Sequence, residues 1–430
     1  MNRCVLALLS VGCRPSILPD VSVSEAISTV VTVSWSTPEP AQSHIEFGLT
    51  EALGRKSRST YGIEHEAILI GLRADERYHL QAVVGSDRSD LLTVTTGSLP
   101  ANFPEVTVSG DPDALPGYLM VPLMGTASVL VILDGDGEVV WYHPIGNRHF
   151  SHRMWLDRAE DVVTFNGFEM GSGSRITRIS LDGTLLQHLD YSDHNHDFLP
   201  LPDGDLVMIA YIKRELHGEL VSGDGIYRMN MSGETELLWS AWDDFEYIQA
   251  QDDQDDLGGW THANALDHHP EDDAFYLSLR SFDALLKIQA STGELLWTLS
   301  GSPGLSDFTF TEGSTPPSHQ HQFELISPDR LLIFDNRYDL QEPARVVEYA
   351  LDMEAMTADE VWSYTHDPTL LVYALGDVDR LEDGSTLIDW STSGVIQLLS
   401  PEDEELWSIN TELGYAFGYA SLIDDLDATP

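Results

Sequence analysis

The chain has 430 residues, ample for a buried core and for two or three domains. Lys and Arg total 22 against 71 Asp and Glu, and the net charge of -49 excludes nucleic-acid phosphate and anionic lipid as main partners, because both would be repelled. The two cysteines, Cys4 and Cys13, stand at the extreme N-terminus, so the body of the chain has no disulfide and no thiolate metal site.

The chain begins "MNRCVLALLSVGCRPS", with Arg3 ahead of the apolar run Val5 to Val11 and Gly12 ahead of Cys13. That order reads as a compressed secretory signal with a lipoprotein-type cleavage site. It makes residues 1–20 a leader and the protein exported, either periplasmic or on the cell surface. A lipid on Cys13 is then its one expected membrane attachment. No later stretch approaches the ~18 to 20 apolar residues of a membrane helix.

Residues 21–100 read as a small β-sandwich. "VVTVSWST" alternates with Val31, Val33 and Trp35 on one side, and "LIGLRADERYHLQAVV" resembles the fibronectin type III corner, with Leu72 and Tyr78 as its apolar and aromatic members. "GSLPANFPEV" is the expected linker to a second domain, 105–430.

In that second domain a turn followed by an apolar strand recurs. The copies are "DGEVVW" at Trp141, "LDGTLLQHL" at Leu189, "SGETELLW" at Trp239, "STGELLW" at Trp297, "TADEVW" at Trp362 and "PEDEELW" at Trp407. Strand pairs such as "LPLPDGDLVMIA" and "LISPDRLLIF" precede them, so one unit is a four-stranded meander. From Trp239 on, the tryptophans lie 58, 65 and 45 residues apart, near the ~40 to 50 of propeller blades. The expected fold is therefore all-β: a six-bladed β-propeller preceded by a fibronectin III/Ig-like sandwich. The acidic stretch 243–259 reads as an inter-blade loop.

Aligning the blades by their first turns puts His196, His262 and His321 at the starts of the inner strands of blades 3, 4 and 5. There they would converge on one mouth of the central channel, with His152 in a similar place in blade 2. Asn264 follows His262 at two residues, and Arg280 is expected on the second strand of blade 4. His268 and His269 are expected exposed in the hairpin turn. Imidazole serves as nucleophile or as acid and base, and the Arg fork fits tetrahedral oxyanions. Together they suggest sulfuryl or phosphoryl transfer through an imidazole adduct. The spacings His194/His196 and His319/His321 also suit zinc on one strand face, which leaves a metal-dependent hydrolase as an alternative. A non-catalytic binding propeller is another, and "ASTGELLW" prompts a quinoprotein, which six blades without vicinal cysteines disfavour.

The block "HANALDHHPEDDAFYLSLRSFDALLKI", with "QHQFELISPDRLLIFDN", "NHDFLPLPDGDLVMIA" and "GYASLIDDL", resembles the bacterial arylsulfate sulfotransferases, from about Gly117 onward. That resemblance implies transfer from an aryl sulfate to a phenolic acceptor without a nucleotide sulfate donor, by ping-pong kinetics. It implies no cofactor and no metal. By its pattern His321 is the nucleophile that becomes sulfurylated, His262 and Asn264 fill the HxN positions, Arg280 binds sulfate, and His196 is a second active-site imidazole. The chain departs from the pattern at Arg337, which follows "FDN" where a glycine is usual.

Overall fold

A computed structural model of the chain describes residues 17–146, 149–169, 173–247 and 259–427. The leader-like segment with Cys4 and Cys13, and most of the acidic stretch 243–259, lie outside the described residues. The chain forms two compact units that divide between Ser98 and Leu99, inside "GSLPANFPEV", and Asp427 groups with the first unit.

The first unit is all-β and organised by one long strand, Val31–Gly48. Its first half pairs with Asp20–Val23 and Thr60–Leu69, and its second half with Arg77–Val84. Pro38 and Pro40 cannot donate to a ladder, and they fall where the register slips between Ser36 and Ala41. Alternation on either side of that slip buries Val31, Val33 and Trp35, then Ile45 and Phe47. Leu72 and Tyr78 are buried as well, and the Tyr78 hydroxyl accepts from the Arg73 N–H at 2.9 Å, the bond of a tyrosine corner.

The second unit is a six-bladed β-propeller of antiparallel meanders. Blade 3 is regular: inner strand His194–Pro200, then Leu206–Leu216, Glu219–Met229 and outer strand Thr235–Ser240. Blade 4 follows the same order with Ala263–His269, Ala274–Leu279, Ala284–Gln289 and Leu295–Ser300. The inner strands of blades 2, 5 and 6 are Met154–Asp157, Phe323–Ser327 and Asp377–Arg380. The ring closes twice. Ala416–Phe417 and Ser421–Ile423 add the inner edge of blade 1, on Tyr118–Met124, and Val106–Gly110 adds an outer strand to blade 6, on Glu405–Thr411. Both closures remove sheet edges that would otherwise be exposed.

The repeated tryptophans do what their spacing suggests. Trp141, Trp239, Trp297, Trp362 and Trp407 all lie in outer strands. Three of them tie one blade to the next: Trp141 donates to Leu181 O at 2.9 Å, Trp362 to Asp403 Oδ1 at 3.0 Å and Trp407 to Gly135 O at 2.8 Å. The apolar cores sit between neighbouring blades. Ala265, Tyr276 and Leu285 of blade 4, for example, pack with Phe323, Leu331 and Ile333 of blade 5. Each fully buried side chain of this size is worth about 1.5–3 kcal/mol, which holds the inner strand ends still.

Candidate active site at the channel mouth

The inner strands begin irregularly, and the irregularity aims the histidines. His196 has φ 45 and His262 has φ 47, both in the left-handed region. For a non-glycine residue that conformation costs roughly 1 kcal/mol or more. Each sits at a register shift, between His194 and Phe198 in blade 3 and beside the Ala263/Ala265 shift in blade 4. A bulge of this kind re-aims a side chain, and here it turns two imidazoles from different blades toward each other. Their Nε2 atoms are 3.2 Å apart and their ring centroids 4.9 Å. His152 joins from blade 2, with its centroid 5.3 Å from that of His196.

His321 enters from blade 5, two residues ahead of Phe323–Ser327, with its N–H bonded to Phe334 O at 3.0 Å. Gln320 beside it is buried and gives its side-chain N–H groups to Ser278, Leu279 and Ala284 of blade 4. The His321 ring faces Asn336, with Nδ1 2.7 Å from Oδ1. Asn336 in turn gives its amide nitrogen to the carbonyls of Val372 and Leu375, at 3.1 and 2.8 Å. Its oxygen must therefore face the ring, so His321 carries its proton on Nδ1 and its lone pair on Nε2. Burial, with the Arg280 charge next, pushes the His321 imidazolium well below the ordinary histidine range. Burial and the facing His262 do the same for His196, and burial brings His152 to about 3. His152, His196 and His321 are thus neutral imidazoles at neutral pH, and His321 is oriented with a free-base nitrogen.

Arg280 lies just after the strand Ala274–Leu279, in a tight turn 280–282, rather than within the strand as its sequence position suggests. The Arg280 N–H still bonds His262 O across the ladder, at 2.9 Å, and the strand ends because the chain turns at once, with the Asp283 N–H returning to Arg280 O at 3.1 Å. The Arg280 side chain then folds over His262, with Nη1 3.5 Å from His262 Nδ1. Asn264 is fully buried. It donates to Gln320 O at 2.8 Å, and its own carbonyl accepts from the Tyr419 hydroxyl at 2.8 Å. It braces the segment that carries His321 against blade 4, and among the described residues its Oδ1 has no hydrogen-bond partner.

Two expectations need correction. The HxH pairs do not share a face, because the left-handed residues His196 and His319 (φ 50) break the strand alternation. His194 gives Nδ1 to Ile209 O at 3.0 Å, and His319 pairs with Asp339 at 3.1 Å. Among the described residues no three His, Cys, Asp or Glu side chains are arranged to hold a metal ion. His268 and His269 end the inner strand half-buried rather than exposed, His268 against Phe275 and His269 bonded to Asp267 at 2.8 Å.

A charged layer lies on the same inner strands, and composition alone does not reveal it. Arg153 of blade 2 donates to Asp197 at 3.1 Å and stacks over Tyr419, with its guanidinium carbon 4.7 Å from the ring centre. The other oxygen of Asp197 accepts from Gln322 at 2.9 Å and from Leu266 N at 3.2 Å. Asp197 adjoins His196 and Gln322 adjoins His321, so this carboxylate couples the two strand starts across the channel. Asp377 of blade 6 stands 4.0 Å from Arg153, and burial pushes its carboxyl well above the usual range. Gly376 before it must be glycine: φ is 111, and a Cβ would fall 2.2 Å from the Phe334 ring. Sequence reasoning missed Asn336, Arg153 and Asp197. Asn336 was within sight in "FDN", and Arg153 as a cation on an inner strand in "SHRMW".

Fold and site together define a propeller with an imidazole cluster and an arginine at one mouth of its channel. Residues 111–414 match the model of the family Arylsulfotransferase (ASST), and the chain belongs to that family. The family supports aryl sulfotransfer as its activity and an aryl sulfate and a phenol as its substrates. No curated protein matches the chain by sequence. Similar solved structures include a protein of unknown function from Bacteroides caccae, 15% identical, with a TM-score of 0.46 over 71% of this chain and 98% of that one. TolB from Acinetobacter baumannii is 12% identical, with a TM-score of 0.41 over 82% of this chain and 81% of that one. An inactive virginiamycin B lyase from Staphylococcus aureus with quinupristin is 11% identical, with a TM-score of 0.41 over 74% of this chain and 100% of that one. Likenesses at that level carry no argument about function.

Proposed function

We propose that the protein moves a sulfuryl group from an aryl sulfate to a phenol in two displacements, through a sulfohistidine at His321. The observation that carries this reading is the Asn336 bond, which leaves Nε2 of a buried, uncharged His321 as the nucleophilic nitrogen. In the first displacement Nε2 attacks sulfur, the N–S bond forms, and the S–O bond to the aryl group breaks with its electron pair on the departing oxygen. The Asn336 oxygen, on Nδ1–H, stabilises the positive ring that results. Arg280, anchored on His262, supplies the fixed cation for the sulfuryl oxygens. In the second displacement a phenol oxygen takes the sulfuryl group, the S–N bond breaks, and His321 regains its lone pair. The phenol's proton passes to His196 or His262, which returns it to the phenolate released in the next turnover. The "MNRCVLALLSVGCRPS" start supports an exported enzyme, held at the envelope through Cys13.

The test is to incubate the chain with 4-nitrophenyl sulfate, with and without phenol, and to follow 4-nitrophenolate and the intact protein mass. Phenol-dependent release is expected, with a sulfuryl-sized mass gain that maps to His321 and vanishes in His321→Ala. Release without a covalent adduct on rapid quenching would sink the two-displacement reading.

A further inference from the structure

A second chain of hydrogen bonds runs from the cluster into blade 3, and none of the roles above uses it. Its far end is Asp224, fully buried on Glu219–Met229. Asp224 Oδ2 accepts from Ala263 N at 2.8 Å and from the Thr261 hydroxyl at 2.6 Å, and Oδ1 accepts from Asn195 Nδ2 at 2.9 Å. Burial raises Asp224 to about 6, and the three donors on its two oxygens favour the carboxylate over the acid.

From that carboxylate the proton positions follow one by one. Asn195 must turn its amide N–H to Asp224 and its oxygen to His196, whose Nδ1 lies 3.2 Å away. An amide oxygen only accepts, so His196 carries its proton on Nδ1 and its lone pair on Nε2. The facing Nε2 of His262, at 3.2 Å, must then carry a hydrogen, which leaves His262 Nδ1 to accept from Arg280 at 3.5 Å. An oxygen brought to this pair meets one lone pair, on His196, and one N–H, on His262.

Resting on the sulfotransferase reading, we propose that Asp224, acting through Asn195, is the positioning residue that makes His196 the base for the acceptor phenol. As the phenol oxygen bonds to sulfur and the S–Nε2 bond of His321 breaks, the phenol proton moves to His196 Nε2. The new imidazolium is held by Asn195 and, through it, by the Asp224 charge. The same proton leaves with the phenolate of the next donor. Asn195 and Asp224 touch no reacting atom.

The substitution Asp224→Asn reads this directly. Ala263 N–H and Thr261 O–H both donate at the Oδ2 place, so the amide oxygen of the variant must sit there and its NH2 must face Asn195. Asn195 then turns over, His196 shifts its proton to Nε2, and the base is lost. In the full chain with 15N-labelled histidine, the His196 nitrogens should exchange their protonated and bare signatures. Transfer from the sulfurylated enzyme to phenol should fall about 10- to 100-fold, the scale of a general base. Transfer to pentafluorophenol, ionised at neutral pH and bringing no proton, should change less than about threefold. An unchanged His196 tautomer, or equal losses with both acceptors, would overturn the relay while the adduct on His321 still formed. A wild-type chain that forms no adduct on His321 overturns the reading beneath it, and the relay with it. Should Asp224→Asn fail to fold, Asn195→Leu cuts the same relay, leaves Asp224 with Thr261 and Ala263, and must show the same split between acceptors.

Discussion

Each unit of the molecule buries a histidine, and the two are held in very different surroundings. His65, in the first unit, is 4% exposed, and His321, in the propeller, is 2% exposed, so burial does not separate them. His65 stands in a regular strand, stacks on Trp35 at 5.2 Å, and has a threonine hydroxyl at each ring nitrogen, Thr37 at 3.2 Å and Thr60 at 2.9 Å. Both of its nitrogens are consumed by its own sheet. His321 is held at Nδ1 by Asn336, whose own N–H groups are spent elsewhere, and it meets imidazoles that reach it through left-handed backbone. The difference teaches that burial does not single out the proposed nucleophile; one committed nitrogen and strain in its neighbours do.

Paired substitutions break or sharpen this contrast. The widest split is expected between His321→Ala and His65→Ala. The first should cost at least ~10³-fold in phenol-dependent 4-nitrophenolate release, with a stability loss of about 1–3 kcal/mol in urea unfolding that is no larger than that of its counterpart. The second should keep release within about twofold and cost about 2–3 kcal/mol of stability, from lost packing and two broken hydrogen bonds. Equal activity losses in the two variants would erase the distinction. Next is the charged layer. Asp197→Ala leaves Arg153 buried without its partner and Gln322 without its acceptor, so a loss of about 3–5 kcal/mol is expected in urea titration. A loss near that of a surface ion pair, under about 1 kcal/mol, would show that Arg153 finds Asp377 sufficient. The smallest effect concerns pH. A lowered imidazolium pKa keeps the lone pair present as pH falls through 6.5, so the rate of adduct formation should stay within about twofold from pH 7.5 to 5.5. A decline centred on 6.5 would mean that His321 titrates like an exposed histidine.

The propeller was largely legible in the sequence because its signals are local and repeated. "DGEVVW", "SGETELLW", "STGELLW", "TADEVW" and "PEDEELW" each place a turn and a tryptophan at the same point of a four-strand unit, and six such units can satisfy their faces only in a ring. The strand starts bearing His196, His262 and His321 were legible for the same reason. Arg280 was placed one step wrong, because "LSLRSF" reads as continuing strand, whereas a tight turn closed by the Asp283 N–H on Arg280 O begins there. The HxH pairs read as one face because strand periodicity assumes a regular backbone, and two left-handed residues remove that premise.

What the sequence determined by itself was therefore the number of blades and the residue types gathered at one mouth, while the strands that close the ring came only with the structure. What only the tertiary structure decided was the protonation pattern. His321 has its lone pair on Nε2 because Val372 and Leu375, from the loop leading to another blade, occupy the Asn336 amide. His196 has its own because Asp224, Thr261 and Ala263 meet across two blades. Hydrogen-bond direction depends on which group faces which across 15 to 40 residues of chain, and no local pattern carries that information.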